Sequence, residues 1–174
     1  MLDGARQIIV RDGVHACTVD EVARRTGIAK TTIYRHVGDR DGLVLAAVDG
    51  MVRASEPPDT GSLLGDLREI MRGYLRVAES VRMRELYGWM LDRSMQDPEF
   101  ALRYRRVRVQ PQGPTVIALQ RAIARGEIPP TIDIPLVMHL VQGPVMSIRM
   151  LDDEPVSDEQ LETLLGWVLR AIGA

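Results

Sequence analysis

Residues 18–37 read TVDEVARRTGIAKTTIYRHV, and the punctuation of this stretch decides what the chain folds into. Thr18-Val19-Asp20-Glu21 has the Thr-x-x-Glu form of a capping box. The Thr18 hydroxyl is expected to accept from the amide three residues on while Glu21 reaches back to the cap amide, fixing a helix start at 18. Val19, Val22 and Ala23 are its apolar positions, and it stops at Thr26-Gly27. A second short helix, expected from 29 to 36, buries Ile28 and Ile33 and leaves Lys30, Thr31, Thr32, Tyr34, Arg35 and His36 on its other faces. A capped helix, a tight turn at glycine and a second helix with exposed hydrogen-bonding side chains form the plan of a helix-turn-helix. Ala23 is small enough to let the two helices approach.

Helical signals continue on both sides. Leu2, Ala5, Ile8 and Ile9 share one face of a first helix, with Gly13 expected as a left-handed residue after its last turn. Asp39 is placed to cap a fourth helix carrying Leu43, Val44, Ala47 and Val48, which Ser55-Glu56-Pro57-Pro58 ends. The stretch SEPPDTGS at 55–62 marks a boundary, giving expected domains 1–54 and 55–174 with the fourth helix as connector. Beyond it Leu63, Leu67, Ile70, Met71, Tyr74, Leu75 and Ala78 form one stripe, and Met83, Leu86, Tyr87, Met90 and Leu91 another. Asp97-Pro98 opens a longer element that Pro111 and Pro114 break or kink and that resumes to Gly126. Asp133 caps an apolar helix containing Pro135 and running to Met150. Ser157 to Gln160 is a second capping box ahead of Leu161, Leu164, Leu165, Val168, Leu169 and Ile172. With no sustained alternation and no Asn-Gly or Asp-Gly hairpin, the expected fold is all-α, with about nine helices.

Composition narrows the function classes. The chain has 174 residues, 45% hydrophobic and 26% charged, a globular balance rather than a disordered one. A single cysteine, Cys17, forms no intramolecular disulfide and suits a reducing compartment. No secretory signal is evident. The apolar tract 134–150 is interrupted by His139, Gln142, Pro144 and Arg149, a poor membrane span, so a cytoplasmic protein without a membrane partner is expected. The net charge of −2 points to no nucleic acid by itself. Its distribution does: residues 24–40 hold Arg24, Arg25, Lys30, Arg35 and Arg40 against Asp39 alone. His15, His139 and Cys17 lack ligand spacing, and no Cys-x-x-Cys, His-Glu-x-x-His, Gly-x-Ser-x-Gly, phosphate-binding glycine loop or paired carboxylate occurs. Neither a metal, nor a cofactor, nor an enzymatic activity is expected.

The helix-turn-helix supplies a chemistry instead. The major groove of B-DNA admits one α-helix, whose N-terminal part reaches base edges. Lys30 can donate to guanine, and Thr31 and Thr32 can hydrogen-bond bases or meet a thymine methyl. Tyr34, His36 and Arg40 suit phosphates, together with the amide-rich helix start at Thr18, and Arg35 belongs to the same exposed set. The plain alternative, a solvated amphipathic helix, weakens once the flanking pattern is counted.

Residues 2–52, from LDGARQIIV to AAVDGMV, resemble the N-terminal domain of TetR-family transcriptional regulators. The likeness rests on the first helix, the Thr-Val opening and Val-Ala approach to the turn, the Gly-Ile-x-Lys-x-Thr-Ile-Tyr-Arg-His recognition helix, and the Asp-Arg-Asp-Gly-Leu start of helix four. DTGSLLGDL, DPEFALRYR, RAIARGEIPP and LVQGPVMSIRM resemble a C-terminal domain type of that family. The resemblance implies a homodimeric regulator, a repressor, that binds a near-palindromic double-stranded operator and is released by a small-molecule effector. Two departures stand out. Ala29 occupies a position where family members often have serine, and numbering begins inside helix one, so no basic N-terminal arm is visible.

Methionine adapts to irregular cavities and tyrosine adds a polar handle, so Met71, Tyr74, Tyr87, Met90 and Met146, with His139 and Gln142 as orienting groups, are the candidate effector residues. Their plainer role is core. Leu161, Leu164, Leu165, Val168 and Leu169 are the candidate dimer surface, packing with their mates as a four-helix bundle. The rival from another class is an all-helical small-molecule-binding protein whose helix-turn-helix no longer binds DNA. A third reading is a DNA-binding activator or ligand-independent regulator.

Overall fold

The computed structural model describes residues 1–53, 56–80, 82–108, 113–152 and 154–174, excepting the side chains of 52, 53, 77–80, 83, 108 and 150. The described residues form ten α-helices and no strand: α1 (Leu2–Asp12), α2 (Val19–Thr26), α3 (Lys30–Val37), α4 (Arg40–Arg53), α5 (Leu63–Ser80), α6 (Met83–Gln96), α7 (Pro98–Arg108), α8 (Pro114–Arg125), α9 (Ile134–Ser147) and α10 (Asp158–Ile172). The all-α expectation holds. The tenth helix arises because α7 and α8 are separate, and Pro114 opens α8 where a missing amide hydrogen costs nothing. Pro111, Ser55 and the side chains of Ala78, Met83 and Met150 lie outside the described residues.

Local chemistry accounts for most helix ends. The Asp97 carboxylate accepts from the Glu99 and Phe100 amides at 2.9 and 3.2 Å and starts α7. Asp133 accepts from the Leu136 amide at 3.1 Å and starts α9, and Ser157 with Gln160 forms a complete capping box on α10. The box at Thr18 is half formed. Its hydroxyl accepts from Glu21 N at 3.1 Å, but the Glu21 carboxylate is drawn to Arg24 and Arg25 instead of the cap amide. Gly13 has φ 90 and ψ 168, a positive φ without the left-handed helical ψ that the sequence suggests, and the Glu85 carboxylate fills the space a side chain would need. Within α9, Pro144 has no amide to donate, and the helix continues beyond Ser147 as a π-helical turn, Ile148–Asp152.

Two compact units result, Met1–Ser55 with Val77–Val109, and Glu56–Arg76 with Gln110–Ala174. In the first, α1 packs on α2 and α4, α3 on α2 and α4, and α7 on α4 and α6. Its core includes Ala5, Ile8, Ile9, Val22, Ile33, Leu43, Val44 and Ala47, with Leu86, Trp89, Met90 and Phe100 buried from α6 and α7. Packing therefore adds α6 and α7, which follow the 55–62 stretch in the chain, to the unit that contains the helix-turn-helix. In the second, Leu63, Leu67 and Met71 of α5 meet Leu119 of α8, Val137, Val141 and Val145 of α9, and Leu161, Leu165 and Val168 of α10. No helix among the described residues is long and apolar enough to cross a membrane.

Candidate nucleic-acid interface

The site is built from α2, its turn and α3. Gly27 closes α2 in the left-handed conformation at φ 71, with its amide donating to the Ala23 carbonyl at 2.9 Å. The Thr26 hydroxyl donates to the Val22 carbonyl at 2.7 Å, finishing the helix from its own last turn. Ile33 is wholly buried and fixes the rotation of α3, while Ile28 is half-buried. Ala29 precedes α3 without a side-chain cap, so that end lacks a hydroxyl or carboxylate acceptor for its first amides. Lys30, Thr31, Tyr34, Arg35 and His36 are exposed and Thr32 is half-buried. The Nδ1–H of His36 donates to the Thr32 carbonyl at 2.7 Å, which holds the ring and leaves Nε2 outward.

The charge that looks concentrated in the sequence is largely matched in space. Arg24 forms a two-pronged pair with Glu21 at 2.8 and 2.7 Å, and Arg25 reaches Glu21 at 2.5 Å and Asp12 at 2.7 Å. The Arg24 guanidinium, then that of Arg25, hold the Glu21 carboxyl well below its usual value, at about 2. Lys30 Nζ lies 2.9 Å from Asp20. Asp20 enters here unannounced, because an ion pair ten positions apart across a turn has no local periodicity to reveal it.

Arg40, expected on phosphate, is engaged within the fold. Its Nε donates to the Cys17 carbonyl at 3.0 Å, one terminal nitrogen donates to the Val14 carbonyl at 2.7 Å, and its guanidinium lies 5.1 Å from the Trp89 ring centroid. These contacts make it a brace that ties α4 to the α1–α2 connection and to α6. Backbone carbonyls at 14 and 17 carry no side-chain signature, so the sequence conceals these partners.

Further contacts hold the start of α4. Asp39 accepts from Gly42 N at 2.5 Å and pairs with Arg103 of α7. Burial pushes the Asp39 carboxyl up, but the Gly42 amide and the Arg103 guanidinium outweigh it and the net shift is downward. Arg93 of α6 grips Asp41 at 2.8 and 2.6 Å. The helix after the recognition helix is thus clamped from two sides.

The family model for bacterial regulatory proteins of the tetR family matches residues 1–47, and that for the tetracyclin repressor-like C-terminal domain matches 57–168. A DNA-binding transcriptional repressor TetR of Mycobacteroides abscessus is 31% identical over 175 residues, spanning 99% of this chain and 91% of its own. The chain belongs to the TetR family. The HTH-type transcriptional regulator YdeS of Bacillus subtilis is 25% identical over 179 residues, spanning 100% of this chain and 88% of its own. Among solved structures, the TetR family transcription regulator SCO0332 matches with a TM-score of 0.79 at 25% identity, covering 98% of this chain and 95% of that one. The chain is a TetR-family transcriptional regulator with a DNA-binding helix-turn-helix, in a family of transcription factors rather than enzymes.

Within this TetR-family chain the candidate effector residues divide between the units. Met71, Tyr74, His139, Gln142 and Met146 belong to the second, whereas Tyr87 and Met90 belong to the first, where Met90 is core. The Tyr74 hydroxyl donates to the Met146 sulfur at 2.6 Å, joining α5 to α9. Met71 is core, Gln142 is half-buried and His139 is exposed.

The candidate dimer residues need correction. Leu161, Leu165 and Val168 are buried in the chain's own core, with Leu164 and Leu169 packed against that core. The stripe at helical spacing on α10 covers α5, α8 and α9. What α9 and α10 leave uncovered is a different set: Leu136 at 55% exposure, Leu140 at 41% and Trp167 at 61%. Gly143 stands with no neighbouring atom within 4 Å of where a Cβ would project, and at Gly166 the nearest is an Arg170 terminal nitrogen at 3.6 Å.

Proposed function

We propose that this regulator is a cytoplasmic homodimeric repressor that binds a near-palindromic operator and is released by a small-molecule effector. Residues 1–54 take the DNA-reading task and residues 55–174 dimerisation and effector binding. The observation that carries the reading is α3 itself, anchored by a fully buried Ile33 with five exposed hydrogen-bonding side chains around the rest of its circumference. A helix so presented fits the major groove, and a dimer offers two of them to successive grooves about 34–36 Å apart.

Dimerisation is supported by the exposed set on α9 and α10. Leu136, Leu140 and Gly143 recur at helical spacing on α9, and Trp167 stands exposed on α10. Apolar side chains beside the open Gly143 suit close helix packing against a second copy. Repression is supported by the Mycobacteroides abscessus relative, a DNA-binding transcriptional repressor, and by AcnR from Corynebacterium efficiens, an HTH-type transcriptional repressor 29% identical over 154 residues. For effector binding, the half-buried Tyr74, Gln142 and Met146 place adaptable and polar groups on α5 and α9. An effector weakens DNA binding only through a difference in its affinity for two arrangements of the reading heads. A coupling of about 1–3 kcal/mol changes DNA affinity roughly 5- to 150-fold.

The test is light scattering together with selection of bound duplexes from a random pool, followed by release assays with candidate small molecules. A dimer that enriches a near-palindrome and loses it on adding one compound is the expected result. A monomer, or a protein that retains no duplex at moderate salt, overturns the reading in favour of a helical ligand-binding protein.

A further inference from the structure

Of the five strong cations between residues 24 and 40, the fold employs four. Arg24 and Arg25 neutralise Glu21 and Asp12, Lys30 is paired with Asp20, and Arg40 is tied to carbonyls. Arg35 is exposed and, among the described residues, makes no hydrogen bond or ion pair. Its direction is as informative as its freedom. At about 100° per residue, Thr31 and Arg35 each lie about 160° from Ile33, on either side of the outermost line of α3, whereas Lys30 lies only about 60° from it. The Lys30 flank is the one that meets α2 through Asp20.

A helix seated in the major groove aims its outermost line at the base edges and its flanks at the backbone walls. We infer that Arg35 is the principal specificity-determining cation of this regulator, donating through its planar fork to the O6 and N7 of a guanine, with Thr31 on the adjacent base. Lys30 is a flank residue that serves the phosphate backbone, and Asp20 tempers its attraction for duplexes of any sequence. This assignment rests on the reading of α3 as a DNA-recognition helix. It reverses the roles that position within the stretch suggests, where Lys30 stands first. The fork matters because an ammonium carries the same charge without the two parallel donors.

The experiment is selection from a random duplex pool with the full-length protein and its Arg35→Ala, Arg35→Lys, Lys30→Ala and Asp20→Asn variants, followed by salt titrations on the selected operator and a scrambled duplex. All three positions are exposed, so the variants test contacts rather than folding. Arg35→Ala is expected to erase preference for one guanine in each half-site and lower operator affinity about 5- to 150-fold per half-site, with a smaller loss on scrambled DNA. Arg35→Lys retains scrambled-duplex affinity but not the guanine preference. Lys30→Ala weakens, and Asp20→Asn strengthens, binding to both duplexes without altering the selected sequence. The inference is overturned if Arg35→Ala leaves the selected sequence intact and loses the same factor on every duplex, or if Lys30→Ala erases a base preference. Should the unaltered protein enrich no sequence, sequence reading by α3 falls and this assignment with it. That failure is visible before any variant is compared.

Discussion

Arg40→Ala separates two jobs that the same residue could hold. If Arg40 braces the fold, the substitution strips donors from the Cys17 and Val14 carbonyls, now 3.0 and 2.7 Å from its nitrogens, and removes a cation 5.1 Å from the Trp89 ring. Hydrogen bonds involving a charged group contribute about 1.5–3 kcal/mol each when buried, and a partly exposed cation–π contact about 0.5–1 kcal/mol. Because the side chain is only partly buried, the lower ends apply, and the summed cost is about 3.5 kcal/mol. With a urea dependence of about 1–3 kcal/mol per molar, the unfolding midpoint falls by about 1–3.5 M. Trp89 is buried in the first unit and Trp167 is exposed in the second, so in a Trp167→Phe background tryptophan fluorescence reports the first unit alone. The companion measurement is the salt dependence of DNA binding below the transition, where a brace leaves the slope unchanged. A midpoint that does not move, combined with a slope flattened by about one phosphate contact, would refute the structural assignment and restore Arg40 to the DNA backbone.

The other expectations follow the same division between core and surface. Leu165→Ala should destabilise the second unit by about 2–5 kcal/mol through cavity formation, seen in urea unfolding, whereas Trp167→Glu should leave the fold intact and give a monomer by light scattering; a stable monomer from Leu165→Ala would return the interface to the inner stripe. Gly42→Ala should lower DNA affinity without deleting any DNA contact, because a Cβ there collides with the Val37 carbonyl and forces the α3–α4 turn to shift; unchanged affinity on the selected operator would show that the turn yields freely. Burial pushes the Cys17 thiol from 9.0 to about 11, so its neutral form is favoured by folding. That stability is complete below the unfolded value and is lost as pH rises through about 11. At pH near 8 a disulfide reagent should modify Cys17 only as fast as the first unit opens, and prompt labelling of the native protein would contradict its burial.

What the sequence reveals and conceals here divides by the range of the interaction. The turn at Gly27, the cap at Thr18 and the anchor at Ile33 are written within one helical turn of where they act, so the helix-turn-helix is legible before any coordinate is known. Pairings across elements are not. Lys30 and Asp20 meet only because Gly27 folds α3 back on α2, and Arg40 finds carbonyls whose side chains, Val14 and Cys17, give no hint of an acceptor. The same limit explains α10. Its periodicity identifies Leu161, Leu165 and Val168 as one apolar face, yet periodicity cannot say whether the cover comes from the chain's own α5, α8 and α9 or from a second copy. The discriminating residue was Trp167, which stands off that stripe between a glycine and a valine and so breaks no pattern a linear reading would flag. The five-to-one excess of cations over Asp39 in residues 24–40 is a property of that window, whereas the field a DNA molecule meets depends on which of them the fold leaves unmatched. With Arg24, Arg25, Lys30 and Arg40 all engaged, Arg35 is the cation on which the difference between those two quantities turns.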